Sequence, residues 1–178
     1  MNGNTSIRFA IFASQTIAFE TGGDKSGGYT NDPKDSGGET KWGISKRAHP
    51  ELNIKALTFN EALDIYARQY WNDRYNEIIS NRINFKLFDM GVLVGTQTIR
   101  KILQRAINDC GLHLYVDGNI GALTIAAINS LNEDLLYSKF INRLESHFKR
   151  IVFFKPKNKK YLKGWLRRLN YVWKANNG

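Results

Sequence analysis

One stretch limits what this chain can fold into. Residues 20–45 hold seven of the fifteen glycines, together with Glu20, Asp32, Asp35 and Glu39, the polar residues Asn31 and Thr40, and the aromatics Tyr29 and Trp42. A nearly unbroken apolar run, Ile7 to Phe19, comes before it, and a series of helix-like patterns comes after. Polar loops of this length are uncommon inside compact domains and are usually functional or disordered. Disorder fits badly, because Tyr29, Trp42 and Ile44 need packing partners. The chain must therefore organise a long glycine-rich loop against helices.

The helical patterns are read from spacing. Residues 5–19 are apolar almost all round, which predicts a first helix buried in the middle of its domain. A short helix is expected from Ser45 to about His49. Thr58 and Glu61 form a capping box ahead of a stripe, Phe59, Leu63, Tyr66 and Tyr70, that runs to about Tyr75. A further helix is expected from Asn81 or Asn84, with Gly91 and Gly95 breaking or tightening it. From Thr98, Ile99, Ile102, Leu103, Ala106 and Ile107 give a clean stripe that stops at Gly111. Residues 116–121 read as a turn and 124–131 as a short helix. Asn132 caps a long helix with Leu136, Phe140, Leu144 and Phe148 inward. A basic link, 155–160, leads to a last helix carrying Leu162, Trp165, Leu169 and Trp173. The fold class is mainly α, with a small hairpin around Tyr29 to Gly43.

The length of 178 residues and a hydrophobic fraction of 42% suit one ordinary domain with a real core. The formal charge of +10 implies attraction to polyanions: nucleic acid, anionic lipid or an anionic wall. No stretch approaches the roughly 20 apolar residues of a spanning helix. Ile7 to Phe19 lacks the basic start and small-residue cleavage site of a signal peptide. Export by a holin or another non-classical route is expected if the protein acts outside the cytoplasm. Cys110 is the single cysteine, and the three histidines are scattered, so no metal-ligand spacing appears and no cofactor is expected.

Glu20 stands at the C-terminal end of the apolar helix, where burial and the negative end of the helix dipole both disfavour ionisation. That is the setting of a general acid for glycoside hydrolysis; a solvated glutamate at a frayed helix end is the alternative. Asp32 and Asp35 read either as turn residues or as a second carboxylate. Tyr29 and Trp42 read either as sugar-stacking platforms or as local core. Residues 155–168 mix Lys155, Lys157, Lys159, Lys160, Lys163, Arg167 and Arg168 with Tyr161 and Trp165. They form a solvated basic face, a grip for nucleic acid, or a patch for an anionic wall polymer.

The string Asn31-Asp32-Pro33-x-Asp35-x-Gly37-Gly38-x-Thr40-x-x-Gly43-Ile44-Ser45, with Gly27-Gly28-Tyr29 before it, resembles glycoside hydrolase family 108, the N-acetylmuramidases once labelled secretion activator proteins. Phe88-Asp89-Met90, Ile102-Leu103-Gln104, Val116-Asp117-Gly118-x-Ile120-Gly121-x-x-Thr124, Phe140-x-x-Arg143 and Lys163-Gly164-Trp165-x-x-Arg168 resemble the predicted peptidoglycan-binding region of that family and its last helices. The resemblance spans residues 5–173. It implies an α-helical, lysozyme-like fold and cleavage of the β-1,4 bond between N-acetylmuramic acid and N-acetylglucosamine, at the periplasm or cell wall, as an endolysin would. Its catalytic glutamate maps onto Glu20, with Asp32 as second carboxylate and Tyr29, Asn31, Asp35, Thr40, Trp42 and Gly43 as substrate-binding residues. Residues 1–80 would be the catalytic part and 81–178 the wall-binding part, packed into one compact unit. The expected partner is the peptidoglycan glycan strand rather than nucleic acid, and the expected state is a monomer. The sequence departs from the family in two places: Thr21 to Ser26 separate Glu20 from Gly27-Gly28-Tyr29, and Leu93 stands where asparagine is expected. Those departures motivate an alternative, a non-catalytic wall-binding or secretion-assisting module.

Overall fold

The computed structural model describes residues 6–32 and 38–173. The chain is mainly α. It divides into two compact units, Met1–Trp71 and Asn72–Gly178.

In the first unit, α1 (Ile7–Glu20) begins at Ser6, whose hydroxyl accepts the Phe9 amide. Phe9, Phe12, Ala13, Thr16 and Ile17 are buried, whereas Ile7 and Ile11 are exposed. The helix is thus one-sided rather than buried all round as its composition predicted. The spacing of the five buried residues is a single stripe, and α2 (Phe59–Tyr70) packs on it. The capping box at α2 is formed as expected: Thr58 accepts from the Glu61 amide, and the Glu61 carboxylate accepts from the Thr58 amide at 2.8 Å. Trp71, at the end of α2, presents its ring to the edges of Phe9 and Phe12 at 5.3 and 6.4 Å. Two short strands, β1 (Thr40–Lys41) and β2 (Ile44–Ser45), pair antiparallel, with Lys41 opposite Ile44. The helix expected after Ser45 is instead a single turn in which Ala48 and His49 donate to the Ser45 carbonyl. Pro50 follows immediately and stops it.

In the second unit, α2's expected continuation to Tyr75 is replaced by a 3-10 turn, Asp73–Glu77, capped by Asn72. Here α3 (Asn81–Val94) is the helix buried all round, with every residue from Ile83 to Gly91 inaccessible. It joins α4 (Thr96–Asn108) through Gly95, whose φ of 89° lets one residue end one helix and start the next. Gly91 does not break α3; a β-carbon there would lie 3.4 Å from Ile99 Cγ2, so the glycine lets α4 come close. The 116–121 turn is held by Gln104, whose side-chain nitrogen donates to Asp117 Oδ1 and Asn119 O while its oxygen accepts the Gly118 amide. After α5 (Ala122–Ser130), Asn132 caps α6 (Glu133–Phe154), which buries Leu136, Phe140, Leu144 and Phe148. The last helix, α7 (Lys159–Leu169), ends before Trp173.

Two charges on α3 are fully buried. Asp89 takes a forked pair from Arg168 of α7, with Nη2 to Oδ1 at 2.8 Å and Nε to Oδ1 at 3.1 Å. Lys86 donates to the carbonyls of Leu169 and Tyr171 at 2.8 and 2.9 Å, so it caps the C-terminus of α7. Burial pushes the Lys86 ammonium down to about 8, while Asp89 holds it up. Arg168 therefore belongs to the interior and not to the basic face that sequence spacing placed it on. Asp89→Asn leaves a buried guanidinium without its counter-charge and is expected to cost about 3–5 kcal/mol. Thr58→Ala, which removes a cap on an exposed helix end, is expected to cost about 1 kcal/mol. Urea unfolding of the two variants beside wild type measures both; equal, small losses would show that the Asp89–Arg168 pair is not what holds α7.

Candidate active site

Glu20 is the last residue of α1, and the chain beyond it is shaped by glycines. The Thr21 amide donates to Ile17 O at 2.9 Å and the Gly23 amide to Ala18 O at 2.8 Å, around Gly22 at φ 62°. This is the Schellman closure of a helix end, and it needs a residue without a β-carbon at position 22. Asp24 then accepts from the Ser26 amide and hydroxyl at 2.8 and 2.7 Å, and the hydroxyl bond, ahead of the amide, holds its carboxyl below the usual range. Gly27 donates back to Asp24 O. A β-carbon on Gly28 would stand 3.2 Å from Thr21 Cα. Residues 21–28 therefore leave the helix end and return to it, so the six residues that separate Glu20 from Gly27-Gly28-Tyr29 in sequence form a closed excursion in space.

The turn between β1 and β2 is Trp42-Gly43, with φ 56° and 76°. Two-residue hairpin turns with both central residues at positive φ match the twist of the strands. A tryptophan in that region is strained and must be held by its surroundings. The Trp42 amide donates to Gly27 O at 2.7 Å, its indole N–H donates to Leu57 O at 3.0 Å, and Phe59 meets its ring edge-on at 5.2 Å. The ring also lies against Gly27, where a β-carbon would enter the indole at 2.6 Å. The ring is half-buried and lines a cavity of about 330 Å³ with Ser14, Ile17, Ala18, Thr21 and Phe59.

Gly43 lies against Glu20. A β-carbon at Gly43 would be 3.0 and 3.1 Å from Glu20 Cβ and Cγ, and 2.5 Å from the Tyr66 hydroxyl. That hydroxyl donates to Trp42 O at 3.2 Å. Tyr70, one turn further along α2, sits 5.5 Å from Tyr66 ring to ring. Burial first, and then the charge of Glu20, push the Tyr70 hydroxyl above its ordinary value. Glu20 itself is exposed. The burial expected of it from the apolar helix does not extend that far, because the buried stripe of α1 ends at Ile17 and the helix stops in glycines.

The remaining predicted residues lie along the loop. The Tyr29 hydroxyl donates to Glu39 Oε1 at 2.8 Å, and this bond is the main cause that raises its pKa. Thr30 and Thr40 exchange backbone hydrogen bonds of 2.9 and 2.8 Å. The Thr40 hydroxyl donates to Gly38 O. Asn31 and Asp32 are exposed directly after that bridge. Asp35 lies outside the described residues. The structure thus groups Glu20 with Gly43 and the Trp42 carbonyl, and groups Tyr29 with Glu39 and Thr40. Tyr66 and Tyr70 were read from the sequence only as inward stripe residues. Their signal was available: a hydroxyl on an inward stripe needs a polar partner, and two such residues four apart place both partners on one face. Among the described residues, no group of three His, Cys, Asp or Glu side chains is arranged to hold a metal.

Comparison with known proteins divides the chain further along, between α3 and α4. The model of the family "Glycosyl hydrolase 108" matches residues 23–95, beginning three residues after Glu20 and running through α3. The model "Predicted Peptidoglycan domain" matches residues 98–170. No curated protein matches the chain. Among solved structures, that of Brucella abortus SagA is 26% identical, covers 90% of this chain and 88% of its own, and superposes with a TM-score of 0.70. Along its mainly α, lysozyme-like fold the chain thus carries a glycosyl hydrolase 108 region, residues 23–95, followed by a predicted peptidoglycan domain, residues 98–170.

Proposed function

We propose that the protein cleaves the β-1,4 bond between N-acetylmuramic acid and N-acetylglucosamine, with Glu20 as general acid. The matched hydrolase and peptidoglycan regions support a glycoside hydrolase that acts on peptidoglycan at the cell wall. The bond and the acid are the finer reading. The observation that carries it is the seat of Glu20: an exposed carboxyl whose stem rests on a glycine with no side chain in the way, at the negative end of a helix. A general acid must reach the glycosidic oxygen, and a sugar ring laid over Gly43 would bring that oxygen to Glu20 and exclude water from it. The Tyr70 hydroxyl keeps its proton at any working pH and is close enough to feel the Glu20 charge. It is a donor available to the carboxylate that remains after proton transfer.

In this reading Asp32 is the second carboxylate. It either attacks the anomeric carbon or activates water against it, according to whether the carboxyls work at about 5 Å or about 6.5–9.5 Å. Tyr29, Asn31, Asp35, Thr40, Trp42 and Gly43 line the groove, residues 1–80 carry the cleavage, and residues 81–178 hold the wall. The chain acts as a monomer and reaches the wall by a holin or another non-classical route. The non-catalytic alternative was motivated by the Thr21–Ser26 insertion and by Leu93. The return of Gly28 to Thr21 weighs against the first ground, because the insertion brings the Gly-Gly turn back beside the end of α1.

Release of reducing ends from purified peptidoglycan tests the assignment. Glu20→Gln is expected to lose about 10²–10⁴-fold in rate while unfolding at the same urea concentration. A variant that cleaves as wild type does would remove Glu20 from the chemistry. Gly43→Ala is expected to lower the rate at least tenfold and to destabilise the first unit, since its methyl meets the Tyr66 hydroxyl and the Glu20 stem in a strained backbone region. Gly22→Ala provides the comparison: its backbone is equally strained but nothing lies within 4 Å of the added carbon, so it should cost stability with less effect on rate. With a formal charge of +10 acting on an anionic polymer, the rate on whole sacculi should fall as NaCl rises from ~0.05 to ~0.5 M. A flat profile would mean that charge plays no part in capture.

A further inference from the structure

The second unit contains a cationic cleft between α4 and α6. It encloses about 530 Å³ and is lined by Arg105 of α4, by Asp109 just past the end of α4, and by Lys139, Arg143, His147 and Arg150 of α6. The α6 residues recur at helical spacing along the flank beside the buried Leu136–Phe148 stripe, and α4 supplies the opposite wall. Asp109 and Arg143 form a forked pair of 2.5 and 2.6 Å across the cleft, which fixes the guanidinium and uses up the one carboxylate. Among the described residues, Arg105, Lys139 and Arg150 form no ion pair. Burial first, then the charges of Arg150 and Arg105, push the His147 pKa down. Four permanent cations thus share a pocket of ligand size with one neutralised acid.

A surface basic face is ordinarily spread out and solvated. This set converges on a cavity and includes neutral partners, Asn142 and Ser146, and an apolar floor, Ile102. From Lys139 to Arg150 the row extends about 16 Å at 1.5 Å per residue, longer than a single small anion needs. Guanidinium forks match carboxylates in two-point contact, and the amide side chain and hydroxyl suit a peptide backbone. In peptidoglycan, the component that combines several free carboxylates with peptide amides is the stem peptide, not the glycan.

We infer that this cleft binds the anionic stem peptide of peptidoglycan, with Arg105, Lys139 and Arg150 receiving its carboxylates and the Asp109-anchored Arg143 orienting it. The inference rests on the reading of the chain as a wall-acting protein and adds which part of the wall the second unit recognises. Bound there, the chain would be selective for peptide-bearing strands.

Co-sedimentation of the full chain with Gram-negative sacculi, which lack teichoic acid, tests it, at one ionic strength and with each protein also carrying Glu20→Gln. Intact sacculi form the pellet; glycan strands freed of peptide by an amidase, which are soluble because the cross-links run through the peptides and which keep the lactyl carboxylate of each muramoyl unit, serve as a competitor that differs in peptide and not merely in charge. Arg105→Gln/Lys139→Gln is expected to weaken binding to intact sacculi about tenfold, the effect of losing a charge-assisted contact. Arg150→Gln alone should act in the same direction. Lys157→Gln/Lys163→Gln removes the same charge from exposed positions outside the cleft and should change binding by less than about twofold. A soluble disaccharide-tetrapeptide should compete, and inorganic phosphate at equal concentration should not. The inference is overturned if the cleft variants bind as the parent does, if the control pair weakens binding equally, if peptide-free strands compete as well as the disaccharide-tetrapeptide, or if phosphate does. Cleft-dependent binding alongside a Glu20→Gln single variant that still cleaves would sink the catalytic assignment alone. Loss of cleavage in Glu20→Gln with cleft-independent binding would sink this inference alone.

Discussion

The contact between Gly43 and Glu20 sets the geometry around the candidate acid. With no side chain at position 43, the β1–β2 turn can press against the end of α1, and the Tyr66 hydroxyl can reach the Trp42 carbonyl over the same spot. Three segments far apart in sequence meet at one α-carbon: the last residue of α1, the hairpin turn, and the middle of α2. Each is fixed by a separate local device. The helix end is closed by Gly22 and Gly23, the turn by positive φ at two successive residues, and α2 by its capping box. The strain at Trp42 is tolerated because its amide, its indole N–H and its ring are all held.

In the second unit the corresponding constraint is electrostatic. A helix buried on every side offers no water to a charged group, so Lys86 and Asp89 must find compensation within the protein. Both find it on α7, one through backbone carbonyls and the other through Arg168. The arrangement makes the register of α7 against α3 specific, since sliding the helix by one residue would separate the guanidinium from its carboxylate and the ammonium from its carbonyls.

Where the sequence was legible, the signal was a single local rule acting alone. The Thr58/Glu61 box, the Asn132 cap, and the Leu136, Phe140, Leu144 and Phe148 stripe are all present at the residues that spacing indicated. The motif strings also prove to be contacts: Gln104 clasps the Asp117-Gly118 turn, and Asp89 meets Arg168. Composition misled where it stood in for geometry. The run from Ile7 to Phe19 looked central because it is apolar, yet only one stripe of it is covered, whereas α3, with a lysine, two asparagines and an aspartate, is the buried helix. Charged residues hide burial from any hydropathy pattern when their partners lie about 80 residues away. Within the candidate site, pattern singled out Glu20 and Gly43 but not the tyrosines beside them. A residue that serves both core and site shows only its core periodicity.

The loop that departs from Glu20 and comes back to Thr21 has a consequence for how this fold can vary. A detour whose two ends touch is topologically a cul-de-sac: residues can be added or removed at its tip without displacing what lies on either side. The region around Asp24 to Ser26 is therefore a place where chain length can drift between relatives while Glu20 and its glycine seat remain fixed. It is also the natural position for grafting a foreign recognition segment onto the enzyme.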